Sequence, residues 1–237
     1  MSENSAFVKA KNYVESHISD DEMRHKGSEG PCITISREAG SGSGLIAEKL
    51  ISLLKRSGKN PNREWAVFDK NLIEKVMEDH NLPKQVAKFL GEEKESFITQ
   101  TMNEIFGVHP STLKLYHETT ETILRLAQIG NCIIIGRGAN IITASLKNAY
   151  HIRLVAPIEL RIKNVQEFYG NTKAEAVEFV KKEDAKRSVF IKDHFNKKAE
   201  DPLLYHTIIN TGYLSLDEVA KIIAESVKIK FPKFYAE

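Results

Sequence analysis

Residues Gly40-Ser41-Gly42-Ser43-Gly44 place glycine at every second position. A backbone so free of Cβ atoms can take positive φ angles and turn successive N–H groups toward an anion. A helix that follows adds the partial positive charge of its N-terminal end. The competing reading is a tight turn with no ligand. Phosphate suits this chemistry, and moving a phosphoryl group demands positioning and positive charge more than covalent chemistry. The arginines near strand ends or in charged stretches are therefore the candidate catalytic residues: Arg137 between Gly136 and Gly138, Arg161, Arg187, and Arg37 just before the glycines. Arg37 either supplies charge at the loop's entrance or pairs with Glu38 or another carboxylate. Asp184 stands three positions before Arg187, so the two share a helix face, as site residues or as a surface ion pair. Asp69, which follows an apolar run, either hydrogen-bonds a substrate or caps the next helix.

These residues need a scaffold that brings them to one place, and the hydrophobic pattern supplies one. Cys32 to Ser36, Trp65 to Phe68, Cys132 to Ile135, His151 to Val155 and Thr207 to Asn210 are short, apolar, β-branched runs that read as five strands. Ile46, Leu50, Leu53 and Leu54 recur on one helical face, which predicts a helix ending near Gly58. Asp69 opens a further helix through Met77. Residues 82–130 show helical spacing, with a break at Gly107-Val108-His109-Pro110. Thr172 to Glu175 and Ser215 to Glu218 have capping-box spacing. The first opens a charged helix reaching roughly Lys198, and the second a final helix bearing Val219, Ile222, Ile223 and Val227. Strands alternating with helices predict an α/β fold, a parallel sheet with helices on both faces. Ligands in such sheets bind at the carboxyl ends of the strands, where the glycines, Asp69, Arg137 and Asn210 fall.

Measured against the phosphate-loop pattern G-x-x-x-x-G-K-[ST] and anchored on Gly42, the chain has Arg37 for the first glycine, Ser43 for the lysine and Gly44 for the hydroxyl residue. The string Ile33-Thr34-Ile35-Ser36-Arg37-Glu38-Ala39-Gly40-Ser41-Gly42 resembles the opening of the cytidylate kinase-like family, which also lacks that lysine. Phe68-Asp69-Lys70, Ile135 to Asn140, Leu154 to Pro157 with Arg161, Asp184 to Arg187 and Ile209 to Gly212 follow in the family's order. Relatives commonly carry Gly-Gly-Arg after the loop, where this chain has Ser43-Gly44-Leu45.

The resemblance covers about residues 32–226. It implies a P-loop NTPase-type three-layer α/β/α domain over residues 32–237, with a helical acceptor-binding insert at about 70–130 and a helical lid at about 158–200. Residues 1–31 are read as a polar N-terminal arm outside the core. The implied activity is phosphoryl transfer from ATP to a nucleoside monophosphate such as CMP or dCMP. Gly40, Ser41, Gly42, Ser43 and Gly44 would hold the donor's phosphates, while Asp69, Arg137 and Asn140 would bind the acceptor. Two alternatives stay open, a catalytically silent nucleotide-binding protein and a kinase of a non-nucleotide acceptor. No metal ligand is legible, because Gly136 stands where a strand-end carboxylate is needed and the eight histidines lack paired ligand spacing. Mg²⁺ is expected to arrive with ATP, held mainly by phosphates and water, with Ser43 and Asp184 as outer-shell candidates.

Composition fits this picture. The 237 residues are 41% hydrophobic and 28% charged, ordinary globular proportions that exclude fibrous and wholly disordered classes. A net charge of +2 gives no reason to expect a nucleic-acid or membrane partner. The basic stretch around Lys181-Lys182 to Lys198 is interleaved with acids and reads as a solvated helix face. Cys32 and Cys132 each open an apolar run, as reduced buried cysteines do. The segment Met1 to Lys11 has no hydrophobic core of the signal-peptide kind, so a cytoplasmic location is expected. Oligomeric state is not legible.

Overall fold

Alternate residues of the central strands point to opposite faces of one sheet, and both faces are covered. The computed structural model describes residues 30–59, 64–73, 96–105 and 114–235, with positions 8, 12, 13 and 94 and without the side chains of 114 and 115. Five strands, β1 (Cys32–Arg37), β2 (Ala66–Phe68), β3 (Cys132–Ile135), β4 (Ala149–Val155) and β5 (Thr207–Asn210), pair in the order β2-β3-β1-β4-β5. Every pairing is parallel.

On one face Ile33, Ile35, Ile133, Ile135, Ile152, Leu154 and Ile209 bury against α1 (Ser43–Ser57) and α6 (Leu216–Lys230). Ile46, Leu50 and Leu54 of α1 and Val219, Ile223 and Val227 of α6 are the apolar stripes that meet them. On the other face Cys32, Cys132, Ile134 and Ala149 pack under α2 (Lys114–Ile129) and the short α3 (Ala139–Ile142). Cys32 and Cys132 are register partners, buried and not disulfide-bonded. Two more helices, α4 (Ile158–Tyr169) and α5 (Lys173–Phe195), follow β4 as a helical hairpin. This is the three-layer parallel architecture that the alternating pattern predicts. Among the described residues no helix is long and apolar enough to cross a membrane.

Local chemistry sets the element ends. Thr172 and Ser215 each close a capping box, with Glu175 and Glu218 respectively. Asp69 accepts the Leu72 N–H at 2.9 Å, so it does cap a helical turn at 70–73. The helix opened by Thr172 stops at Phe195 rather than near Lys198, because Asn196 takes the left-handed C-cap conformation (φ 50°). β4 begins at Ala149, two residues before the predicted start, where the apolar pair Ala149 and Tyr150 extends the pairing with β1.

One expectation is corrected. Tyr13, from the arm read as outside the core, is 1% exposed in the α2-side core. Its hydroxyl donates to the Gly130 carbonyl and its ring meets Phe68 edge-on at 5.5 Å. The helix beyond residue 73, the apolar spacing at 86–90 and the break at 107–110 lie outside the described residues.

Candidate active site

The polarity of the α2-side face rises along the strands toward their carboxyl ends. Residues 32, 34 and 36 of β1 run Cys, Thr, Ser, and residues 149, 151 and 153 of β4 run Ala, His, Arg. Apolar cover ends there, and a cavity of about 350 Å³ opens between the ends of β1, β3 and β4 and the middle of α5. Arg37, Lys70, Arg137, Arg153, Lys186 and Arg187 line it, against Glu38, Glu183, Asp184 and Glu200. Cations outnumber carboxylates, so the cavity favours an anion.

The backbone is shaped to crowd these cations. β3 stops at Ile135, and three successive residues are left-handed: Gly136 (φ 83°), Arg137 (φ 55°) and Gly138 (φ 68°). For arginine this conformation costs roughly 1–3 kcal/mol, a strain that clusters at functional sites. The Gly136 N–H donates to the Ile35 carbonyl at 3.0 Å, which fixes the turn to β1. A Cβ on Gly136 would stand 1.9 Å from Arg37 Nη1, so the bare glycine makes room for that guanidinium. A Cβ on Gly138 would stand 2.3 Å from the Phe195 ring, at the end of α5. Burial, then the charges of Arg187 and Arg137, pull Arg37 down to about 10, while Asp69 and Glu183 hold it up. It remains a cation at neutral pH. Arg137 lies 5.9 Å from the Phe190 ring centroid.

Arg161 and Asp184 are joined to each other and to the loop after β1. Arg161 is 9% exposed and does not line the cavity. Its Nε donates to the Ala156 carbonyl at 3.0 Å and its Nη1 to the Ala39 carbonyl at 3.4 Å. Nη1 also makes a close ion pair with Asp184 Oδ2, and Glu38 Oε2 lies 3.5 Å from Nε. Asp184 Oδ1 accepts the Ala39 N–H at 2.7 Å, and Asn164 Nδ2 donates to the Gly40 carbonyl at 2.8 Å. Arg161, Asn164 and Asp184 thus strap the loop after β1 to α4 and α5. Arg187, 3.4 Å from the same Asp184 carboxylate, remains on the cavity wall. Glu38 is engaged by Arg161 and the Ala156 N–H, so the expected option of an Arg37–Glu38 pair is not taken.

The glycine turn abuts this assembly without lining the cavity. Gly40 (φ 81°) and Gly42 (φ 83°) are left-handed. A Cβ on Gly40 would lie 2.4 Å from the Arg161 carbonyl oxygen, and one on Gly42 2.8 Å from Leu216 Cδ2. Ser41 is buried, its hydroxyl donating to the Glu38 carbonyl at 2.9 Å. A Cβ on Gly44 would meet nothing within 4 Å, so the first turn of α1 is open at Ser43 and Gly44. The first N–H groups of any helix lack intrahelical acceptors and can serve an anion.

Asn140 is 6% exposed on the cavity wall, and its Nδ2 makes no hydrogen bond among the described residues. Asp69 sits at the end of β2, turned to the Leu72 N–H, with its charge felt by Arg37. Sequence reasoning missed Ser36, Arg153, Glu200 and Tyr205. Arg153 is 7% exposed, donates to Ser36 Oγ at 3.3 Å, and lies 5.8 Å from the Tyr205 ring centroid. The Tyr205 hydroxyl donates to the Ala199 carbonyl at 2.7 Å and lies 3.2 Å from Ser36 Oγ. A charged residue inside an apolar strand was the available signal, since an unpaired arginine is almost never buried. Among the described residues, no group of three or more His, Cys, Asp or Glu side chains is placed to hold a metal ion.

The model of the cytidylate kinase-like family matches residues 32–213. A crystal structure of an uncharacterized protein from Eubacterium ventriosum is similar over 85% of this chain and 99% of its own, at 22% identity and a TM-score of 0.65, which is a likeness of fold. Shikimate kinase from Bacteroides thetaiotaomicron aligns over 84% of this chain and 98% of its own, at 12% identity and a TM-score of 0.45. Uronate isomerase of Corynebacterium glutamicum is 24% identical over 119 residues, half of this chain and 23% of that protein's length.

Proposed function

Because the chain belongs to the cytidylate kinase-like family, we propose that it transfers a phosphoryl group from ATP to a nucleoside monophosphate, CMP or dCMP first among them, within the cytoplasm. The observation that carries this reading is the convergence of Arg37, Arg137 and Arg187 on one cavity at the carboxyl end of a parallel sheet. ATP supplies the transferable phosphoryl group. The open amides at the start of α1, with Ser43 and Gly44, face its phosphates, and the left-handed glycines set their direction. Arg137 and Asn140 bind the acceptor and hold its phosphate. Arg37 and Arg187 then supply the fixed positive charge that a lysine provides in the usual loop, which stabilises charge developing in the transition state.

Mg²⁺ fits only as an ion carried by the nucleotide. The carboxylates beside the turn are committed, Asp184 to the Ala39 N–H and Arg161 and Glu38 to the Ala156 N–H and Arg161. Phosphates and water would therefore make up most of its coordination. The silent nucleotide-binding reading draws on the absence of a lysine at Ser43 and of a strand-end carboxylate at Gly136.

A coupled ADP-release screen across the nucleoside monophosphates, with ATP and Mg²⁺, decides between them. Turnover with CMP or dCMP is the expected result; ATP binding without turnover on any acceptor would leave the silent reading standing. Within an active enzyme, Arg137→Ala should raise the acceptor's KM by ten- to a hundredfold, the loss of a charge-assisted contact worth roughly 1.5–3 kcal/mol, and leave ATP affinity nearly unchanged. Wild-type acceptor kinetics in the folded variant would remove Arg137 from the site.

A further inference from the structure

Arg153 is a buried cation whose partners within the protein do not use it up. It is the register partner of Ser36 across β1 and β4, and both side chains line the arginine cavity. Nη1 donates to Ser36 Oγ, a neutral acceptor, at 3.3 Å. Nε and Nη2 make no hydrogen bond among the described residues, yet neither is an enclosed atom. The carboxylate paired with Arg153 is Glu200, whose Oε1 lies 3.9 Å from Nη2. That side chain is 65% exposed and also accepts the Ser188 hydroxyl at 3.4 Å, so it balances the guanidinium only loosely. Arginine is almost never buried without a firm partner. The Tyr205 ring, anchored through its hydroxyl to the Ala199 carbonyl, backs the guanidinium at 5.8 Å. The fork is held in place with donors to spare.

Its distance from Arg137 sets what can use those donors. In the proposed kinase the acceptor's phosphate rests on Arg137, just after β3. Only β1 stands between β3 and β4, so the two arginines spring from strands two spacings apart, about 9.5 Å. A nucleoside monophosphate covers such a gap from its phosphate to its base. Phe190 and Ile191 of α5 give the cavity the apolar wall that a ring needs. A guanidinium has donors only, set in a rigid plane, and matches two adjacent acceptors. On the Watson–Crick edges of the common bases, cytosine alone offers that pair, N3 and O2. Uracil would turn its N3–H against the fork, and adenine and guanine each bring one acceptor beside N–H groups. Cytosine's remaining group, the N4 amine, needs an acceptor, and the Glu200 carboxylate stands beside the fork.

We propose that Arg153 and Glu200 determine base specificity by reading a cytosine edge. Arg153 donates to N3 and O2, Glu200 accepts from the N4 amine, and Ser36 holds the guanidinium in line. The assignment rests on Arg137 as the holder of the acceptor's phosphate.

Calorimetric titration of the full chain with CMP and with UMP, without ATP, tests it by binding alone. CMP should bind roughly tenfold tighter than UMP or better. Arg153→Met, which keeps the packing on Tyr205 and removes the donors, should bring CMP down to the affinity of UMP. A merely structural arginine would weaken both nucleotides together. Arg137→Ala should do that, lowering both affinities and preserving their ratio. Glu200→Gln, at an exposed position, should narrow the ratio about threefold or more, and it keeps the test decisive if Arg153→Met fails to fold. Equal binding of CMP and UMP by the wild type, or a wild-type ratio in either folded variant, would overturn the proposal. Selective CMP binding without ADP release would sink the kinase reading and keep this one, whereas turnover that uses CMP and UMP equally would do the reverse.

Discussion

Gly136 sets the position of Arg37, and two glycine substitutions separate that role from backbone strain. Gly136 (φ 83°) and Gly170 (φ 70°) both occupy the left-handed region. A Cβ at Gly136 would sit 1.9 Å from Arg37 Nη1, whereas one at Gly170 would meet nothing within 4 Å. Alanine at either position should cost stability by about 1 kcal/mol or a little more through φ alone. Only Gly136→Ala should also push Arg37 aside, and turnover should fall at least tenfold. Thermal melts beside the ADP-release assay would show it, and an equal loss of turnover in Gly170→Ala would rule the positioning argument out. Among the residues that line the cavity, those at strand ends were legible: Arg37, Arg137 and Asn140 border glycine turns, and such turns at a parallel sheet's carboxyl edge are where ligands bind. Arg153 was not, because the alternation in β4 puts Ala149, His151 and Arg153 on one face without saying what that face meets, and its neighbours Ser36 and Tyr205 come from distant parts of the chain. Arg161 was legible as important but not in its task. Its partners lie on the loop after β1 and on α5, distant in sequence, and no local spacing announces them.

At the scale of elements, the strap of Arg161, Asn164 and Asp184 makes the α4–α5 hairpin continuous with the loop that follows β1. Arg161→Ala would leave Asp184 and Glu38 without their guanidinium, and breaking a buried pair commonly costs 3–5 kcal/mol. Asp184 and Glu38 are partly solvated, their side chains 30% and 27% exposed, so the expected loss is about 2–3 kcal/mol. The loss should be local first, with faster amide exchange across α4, α5 and residues 38–41 before the α1–α6 core loosens. Exchange mass spectrometry would detect it, and uniform acceleration through the whole chain would mean the strap merely adds to global stability. The same contacts refine the lid expected at about 158–200. The strap ties α5 at Asp184, so motion on substrate binding should concentrate beyond it, in the cavity-lining stretch Lys186 to Ile191. Helix starts were legible wherever a side chain caps them, at Asp69, Thr172 and Ser215. The stop at Asn196 was not, because the turn depends on a left-handed asparagine where glycine is the usual signal.

For the molecule as a whole, acid sensitivity should arise at the far side of the sheet from β3. His151 on β4 is 6% exposed, with Nδ1 2.9 Å from Thr34 Oγ1. Its backbone N–H donates to His206 Nδ1 at 3.0 Å, and the two rings lie 4.9 Å apart. Burial, then the nearby His206, pull the His151 imidazole down to about 4 from an ordinary 6.5. Burial and Lys230 lower His206 as well. Among the described residues nothing acidic offsets these effects, so the folded state keeps His151 neutral. Between pH 6.5 and 4 the unfolded chain binds a proton that the folded chain refuses. Stability therefore rises with pH through that window; it is complete above about 6.5 and is lost progressively as pH falls toward 4. The difference corresponds to about 3 kcal/mol, a large share of the 5–15 kcal/mol typical of a domain. Denaturant unfolding at pH 7 and pH 4 should show wild type losing about 3 kcal/mol more than His151→Asn, whose amide can keep a hydrogen bond to Thr34 without titrating. Carboxylates elsewhere, Asp184 and Glu38 among them, lose stability with acid in both proteins and cancel in the difference. Parallel pH profiles in wild type and variant would show that protonation of His151 is tolerated in the fold, and the acid limit would then belong to the carboxylates of the strap.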